Sequence, residues 1–495
     1  MSRLSRWLLL ATAFAAPALF ANTPSTMTTF MFRAWLPVLG APVPATPIEH
    51  ELLTVAADAR RGAFDTAERT LERLGKSASS PRERLLVLLF RRQLLFDQYD
   101  GTEGDRLDVA GALFLTDAAA VSKTIAAEIA SLRLSLPPAM NDDAAGAVAA
   151  PVLVRALARL PSAARYMSFA DQIGDNASID VAGEEVATMT SFVRQLGERL
   201  QRSRMLSTAD VTAFERLADA AKFLGLGLRD EAVCILEQML ADAPAEARAE
   251  IMIVLGDAYS APDGSPFLIG TGPATADLQI TALMMRHRLR PVTNVMPGDF
   301  ERALAWYDKA EAIDPRVDVA LRRTFTGMRS AEKDTSSELR IIADRPSGDR
   351  SSRAAGLMLG LLWEDGAAFG TAISGASRAH DFGAIASYAA VSRMIGSRNS
   401  FDALFRAAII LEIVSESLRG AGFSRIAAPV LEDLAFVYHG MGRVDAAVVR
   451  ARLAHDAVTA HLHELERRGA PAELLDLDRE ALASLTASAE LSAGE

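Results

Sequence analysis

Acyl transfer by serine needs a nucleophile on a sharp turn with a histidine in reach, and the usual local sign is Gly-x-Ser-x-Gly. No such pentapeptide occurs in the 495 residues. Ser374 lies between Gly370 and Gly375, but the apolar helical spacing on both sides makes these glycines a close helix contact. A phosphate loop needs a lysine and a hydroxyl directly after its glycines, and Gly270-Thr271-Gly272 has neither. Metal binding on a helix favours two histidines one turn apart, whereas His461 and His463 are two apart and His455 is six before His461, so with Glu464 they read as a solvated face. No metal and no cofactor is expected. Arg286, His287, Arg288 and Arg290 form the densest positive run in the body. They invite an anion such as a phosphate, a polysaccharide carboxylate or an acidic peptide, although cations near a helix C-terminus also stabilise its dipole. A helical toroid can bring an acid and a base together without any local motif, which leaves Asp257, Asp263, Asp299 and Glu301 for a hydrolytic reading. Nothing here makes catalysis the expected role.

These residues must be positioned by helices. Half of the residues are hydrophobic and only 6% aromatic, and β-branched runs bounded by turn signals are scarce. The balance of 52 Lys and Arg against 63 Asp and Glu gives a net charge of -11, which repels phosphate backbones and argues against nucleic acid as a partner. Residues 1–21 read as a secretory signal, with Arg3 and Arg6 ahead of an apolar stretch from Trp7 to Phe20 and small residues closing it. No second stretch is long and apolar enough to span a membrane, so none is expected after signal removal. The lone Cys234 sits among Ala232, Val233, Ile235 and Leu236, so the spacing predicts a buried thiol; with no cysteine at the mature N-terminus, a lipoprotein is not expected. Residues 22–47 are rich in Thr and Pro and read as a linker, in which Phe30, Phe32, Trp35 and Leu36 are apolar enough to dock back onto the body.

From Ile48 onward the chain divides into helical repeats at 48–136, a central region at 152–329 with an insertion at 260–297, a third region at 353–470, and a capping helix with a tail at 471–495. Pro137-Pro138 to Pro151 and the polar run Ser330 to Ser352 read as hinges or long loops. Small residues, a turn glycine and a closing proline recur at fixed spacing. They are Leu431, Leu434, Ala435, Tyr438, Gly442, Ala447, Ala451 and Ala454; Gly298, Ala303, Tyr307, Ala310 and Pro315; and Gly227, Ala232, Leu236, Met239 and Pro244, followed by Met252, Leu255, Gly256 and Tyr259. A weaker set opens the body at Gly62, Ala67, Leu71 and Leu74. Small residues let two helices of a pair approach and the glycine permits the turn between them. One pair cannot bury its apolar face alone, so pairs must stack.

This pattern resembles the tetratricopeptide repeat, and Leu255-Gly256 with Tyr259 and Trp306-Tyr307 with Lys309-Ala310 are similar to its bacterial Sel-like variant. The resemblance covers about half of the chain. It departs before Gly298, where Arg290 and Pro291 stand at an apolar and a small position, so this repeat reads as broken or extended. It implies an all-α fold, an α-solenoid of antiparallel helix pairs running as one superhelix or as two segments. It also implies partner binding through outward positions of the first helices: Glu432, Phe436 and His439 in one repeat, Glu250, Ile253 and Asp257 in another. These are not the Lys and Asn residues of the family's carboxylate clamp. The expected protein is an exported scaffold or adaptor, periplasmic or secreted and bacterial in character, that holds a protein partner of the cell envelope through residues such as Glu250, Asp257, Arg286, Arg288, Arg290, Glu432, Phe436 and His439. The alternative is a glycan- or polysaccharide-handling protein that uses the 260–297 insertion as a lid or pocket.

Overall fold

The computed structural model describes residues 25–98, 124–173, 176–260, 267–268, 272–273, 299–331, 335–363, 365–381, 401–420, 422–470 and most of 472–485. Residues 1–21, expected as a secretory signal, and nearly all of the insertion lie outside them. The fold is all-α. Its helices are α1 Met27–Trp35, α2 Pro47–Arg60, α3 Phe64–Ser77, α4 Pro81–Gln98, α5 124–134, α6 Pro138–Ile173, α7 Asn176–Arg202, α8 Thr208–Gly225, α9 Arg229–Asp242 and α10 Ala245–Ser260. Then follow α11 Phe300–Ile313, α12 Ala320–Ala331, α13 Ser336–Ala343, α14 Arg350–Trp363, α15 Gly366–Arg378, α16 Phe401–Gly420, α17 Ser424–Gly440 and α18 Val444–Arg467. Among the described residues the β-structure is one hairpin, β1 Phe267–Leu268 against β2 Gly272–Pro273, which lies beside α14. Helices pack on their neighbours in sequence along most of the described chain, so antiparallel pairs stack into an α-solenoid.

Local sequence explains the pairs. In α3 the residues at helical spacing, Phe64, Ala67, Leu71 and Leu74, are buried while the charged residues between them face out. Gly62, Gly227 and Gly442 take φ of 73°, 74° and 74° at the turns before α3, α9 and α18, backbone angles that residues with a Cβ rarely adopt. Ser207 and Asp210 form a reciprocal capping box that starts α8.

The repeat that the sequence presents as broken is intact but divided. Its first helix is α10 and its second is α11, so the segment from 261 to 298 is inserted into the turn between them. The two ends of the insertion meet, since the Asp299 amide donates to the Tyr259 carbonyl at 3.0 Å. Gly256 faces the Tyr307 ring so closely that a Cβ there would stand 2.4 Å from the ring edge. Arg290 and Pro291 match no first helix because the first helix ends thirty residues earlier, at Ser260.

The stretch expected as a linker is instead a core element. Helix α1 and a 3-10 turn at Pro37–Leu39 insert among the repeats, and Met27, Phe30, Met31, Phe32, Trp35 and Leu36 are each exposed by 1% or less. Phe30 and Trp35 meet Phe90 of α4, and Phe32 meets Phe214 of α8 with ring centroids 4.8 Å apart. Asp143 of α6 caps α1, accepting the Met27 and Thr28 amides at 2.8 and 3.0 Å. The other expected breaks are also helical: Pro137-Pro138 opens α6, which runs on through Pro151 and Pro161, and the 330–352 stretch contains α13. A proline costs least in a first helical turn, where its missing N–H is not needed.

A second long-range contact joins the first repeats to α14 and α15. Residues of the α2–α3 turn meet α14 and the end of α15: the Arg350 amide donates to the Arg61 carbonyl at 2.7 Å, and the Asp65 amide to the Ala379 carbonyl at 3.2 Å. Arg353 spans Asp381 at 2.8 Å and the Gly62 carbonyl at 3.0 Å. Leu95 of α4 packs into the apolar cluster built by α15 to α18.

Gly146 of α6 admits α1 closely, and a Cβ there would stand 2.4 Å from Thr28 Oγ1 and 2.8 Å from Met205 Sδ. Gly146→Ala should gain up to about 1 kcal/mol of helix propensity and lose about 1–3 kcal/mol to overpacking. The expected net result is a lower urea midpoint with reduced amide protection in α1. Replacing 261–298 by a short turn such as Gly-Met-Gly-Arg should leave the α10–α11 pair assembled. Circular dichroism and the melting temperature of that variant check it, and loss of cooperative melting would show that the insertion is part of the core.

Candidate functional site

Helix α10 presents Glu250, Ile253 and Asp257 to the interior. Ile253 is buried and Glu250 half-buried, and Asp257 is 2% exposed. The Tyr307 hydroxyl of α11 donates to Asp257 Oδ1 at 2.8 Å, and Arg322 Nε of α12 donates to Oδ1 and Oδ2 at 3.1 and 3.2 Å. Burial pushes the Asp257 carboxyl up to about 6, against the pull of Arg322 and the Tyr307 hydrogen bond, and the Glu250 charge adds to the rise. Burial also works to lower Arg322, but the Asp257 charge holds it above its ordinary value. Tyr307 is raised by burial and by the carboxylate it serves. The row continues toward α1: Arg60 feels the charges of Glu250 and Asp97 and donates to the Ala34 carbonyl at 2.6 Å. Asp257 thus ties three helices together, and a partner approaching from solvent does not reach its carboxylate.

Glu432, Phe436 and His439 of α17 share one helical face at spacings of four and three. Phe436 is 76% exposed, and Glu432 and His439 are half-buried on either side of it. The Asp257 and Phe436 sets therefore do not converge: the first is inside, the second faces solvent. Arg286, Arg288 and Arg290 lie outside the described residues.

One feature had no sequence signal. Helices α3, α4 and α5 enclose an open groove of about 850 Å³, with Leu71, Val87 and Leu132 along it and Lys76, Arg84 and Arg91 at its edges beside Glu72 and Glu128. Its walls come from helices separated by residues 99–123, so no local spacing announces it. The size falls in the range of small-ligand and peptide sites.

The histidines and the cysteine are placed as follows. His461 Nδ1 lies 2.5 Å from Asp478, which also accepts from Arg425, and the three hold the C-terminal segment against α17 and α18. Among the described residues no group of three His, Cys, Asp or Glu could hold a metal ion. No described helix is long and apolar enough to cross a membrane. Cys234 is exposed on α9, contrary to the burial expected from its apolar neighbours: Ala232, Val233 and Leu236 turn inward, and position 234 falls on the opposite side of the helix.

No family model matches the chain, and no curated protein matches it. One solved structure, a circular tandem repeat protein with novel repeat topology and enhanced subunit contact surfaces, is similar at 13% identity over 95% of this chain and 97% of the other, with a TM-score of 0.19. At that score the likeness carries no structural argument.

The Asp257 node makes a signed prediction. Its folded value near 6 exceeds the ordinary 3.8, so the folded state binds the proton more tightly than the unfolded chain. Stability should fall as pH rises between 3.8 and about 6, by up to ~1.4 kcal/mol per pH unit. Asp257→Asn keeps a side chain of similar shape that does not titrate, and its urea midpoints should be flatter across this window. A slope equal to that of the wild type would show that Asp257 does not titrate there.

Proposed function

We propose that this chain is an exported scaffold of tetratricopeptide-like repeats that binds a protein partner through its last repeats. The carrying observation is Phe436, a large aromatic side chain 76% exposed on α17. Interfaces draw much of their energy from a few aromatic anchors set among polar groups, and Glu432 and His439 flank this one. Among the described residues, α1 and its 3-10 turn fill the space beside α4, α6 and α10. The leader-like residues 1–21 support export to the periplasm or beyond. The turn glycines, the small residues at helix contacts and the divided α10–α11 pair support the tetratricopeptide-like register.

The test is crosslinking of the tagged chain in its native host, followed by identification of the captured protein. Phe436→Glu should weaken binding of that protein at least tenfold, equivalent to about 1.4 kcal/mol, without moving the melting temperature. Undiminished binding by this variant, or capture of glycan alone, would reject the reading.

A further inference from the structure

The end of α15 carries a backbone feature that its neighbours avoid. Most helices here that end in a left-handed residue use glycine, as at Gly62, Gly227, Gly442 and Gly469, but α15 ends with His380 at φ 59°. A residue with a Cβ is strained in that region, and such strain persists only where surrounding contacts hold it. Here the holding contacts come from distant elements. His380 Nδ1 lies 2.7 Å from Glu68 Oε2 of α3, and the His380 ring stands edge-on to Phe423, just before α17, with centroids 5.2 Å apart. The preceding carbonyl, Ala379, accepts the Asp65 amide of α3, and the following residue, Asp381, receives Arg350 and Arg353 of α14.

We propose that His380 and Glu68 form a proton-operated clasp between the N-terminal repeats and the C-terminal repeats, tightened when the imidazole is charged and loosened when it is neutral. The charged groups around the pair are Asp65 and Arg69 on α3, Arg91 on α4, and Asp381 with Arg350 and Arg353 on the α14–α15 side; Gln98 of α4 donates a hydrogen bond to Glu68 at 2.7 Å. The Glu68 hydrogen bond raises the imidazole above its ordinary 6.5, opposed by partial burial. Burial pushes Glu68 up, but its hydrogen bonds from His380 and Gln98 prevail and hold it below 4.5. For a raised imidazole the stabilisation is complete below pH 6.5 and is lost as pH climbs through the raised value; it is also lost at the acid end, once Glu68 takes a proton. Against the push of burial, Asp381 is held below its ordinary value by the Arg350 and Arg353 charges and stays ionised in this range, so the joint loosens locally and stays assembled.

The experiment follows amide hydrogen exchange at Asp65 and Arg350, whose N–H groups bond across the joint, as protection factors between about pH 6 and 8.5. In the wild-type chain protection should fall about three- to fivefold over that range. His380→Asn accepts the left-handed backbone but carries no charge, so its protection should start lower and stay level. His380→Gly relieves the strain and separates the two effects: level protection supports the clasp, even if overall stability rises. Wild-type protection that does not change with pH, or a fall that persists in His380→Asn, would overturn the proposal.

Discussion

Six side chains of α1 and the residue after it, from Met27 to Leu36, are shut away from water by elements that run from the next helix, α2, to α8, nearly two hundred positions further along the chain. Each such burial stabilises by about 1.5–3 kcal/mol, so together they contribute on the order of 10 kcal/mol. That is comparable with the whole net stability of an ordinary domain. A stack of helix pairs is bound only through nearest neighbours, and its cohesion is nearly one-dimensional. Helix α1 changes this by touching α2, α4 and α6 along its length, meeting α8 through the Phe32–Phe214 contact and the Arg33–Asp210 ion pair, and leading through its 3-10 turn onto α10. The clasp of the α2–α3 turn on α14 and α15 adds a second link across the array. The repeats are therefore held as a closed body, in which displacing α1 would open the core.

Close helix approach is what lets this body fit together, and it depends on residues that lack a side chain. Gly146 admits α1, Gly225 of α8 admits the backbone of α6 at Pro161, and Gly360 of α14 admits Phe369 of α15, each where a Cβ would stand under 3.0 Å from its neighbour. Gly256 does the same for Tyr307 across the divided repeat, and its contact accounts for how α10 and α11 remain a pair with the insertion between them. Since the pairing energy lies along the helix faces, the turn between two helices can lengthen at little cost: loop-closure free energy rises only with the logarithm of length.

The helical pairs, the turn glycines and the small residues were legible because they depend on spacing within one pair. Helix α1 was half legible: the apolar run Phe30, Phe32, Trp35 and Leu36 showed that the stretch should dock, but the surrounding prolines suggested a linker. What decided its structure was a cap from Asp143 and a cradle at Gly146, more than a hundred positions away. Asp257 illustrates the opposite limit. Its place on the repeat suggested an outward carboxylate, yet Arg322, 65 positions later, draws it into the interior. The clasp and the α3–α4–α5 groove had no local signal, because the first joins Glu68 to His380, 312 positions later, and the second takes its walls from both sides of residues 99–123.

The contacts between repeats fall into two electrostatic kinds. Arg353 with Asp381 and Arg425 with Asp478 are buried guanidinium–carboxylate pairs; against the push of burial, Asp381 is held low by the Arg350 and Arg353 charges, and Asp478 by its hydrogen bond from His461 and by Arg425. Asp257 and His380 are different, because the burial of one and the hydrogen-bond partner of the other both raise the group above its ordinary value. Both weaken in the same direction: a buried carboxyl costs more once it has lost its proton, and the imidazole clasp loses its charge as pH climbs. The permanent pairs therefore maintain the assembly, while the titrating contacts set how firmly neighbouring repeats are held. Conditions below about pH 6 but above the lowered range of Glu68 tighten both, and this combined bias arises at two unrelated joints.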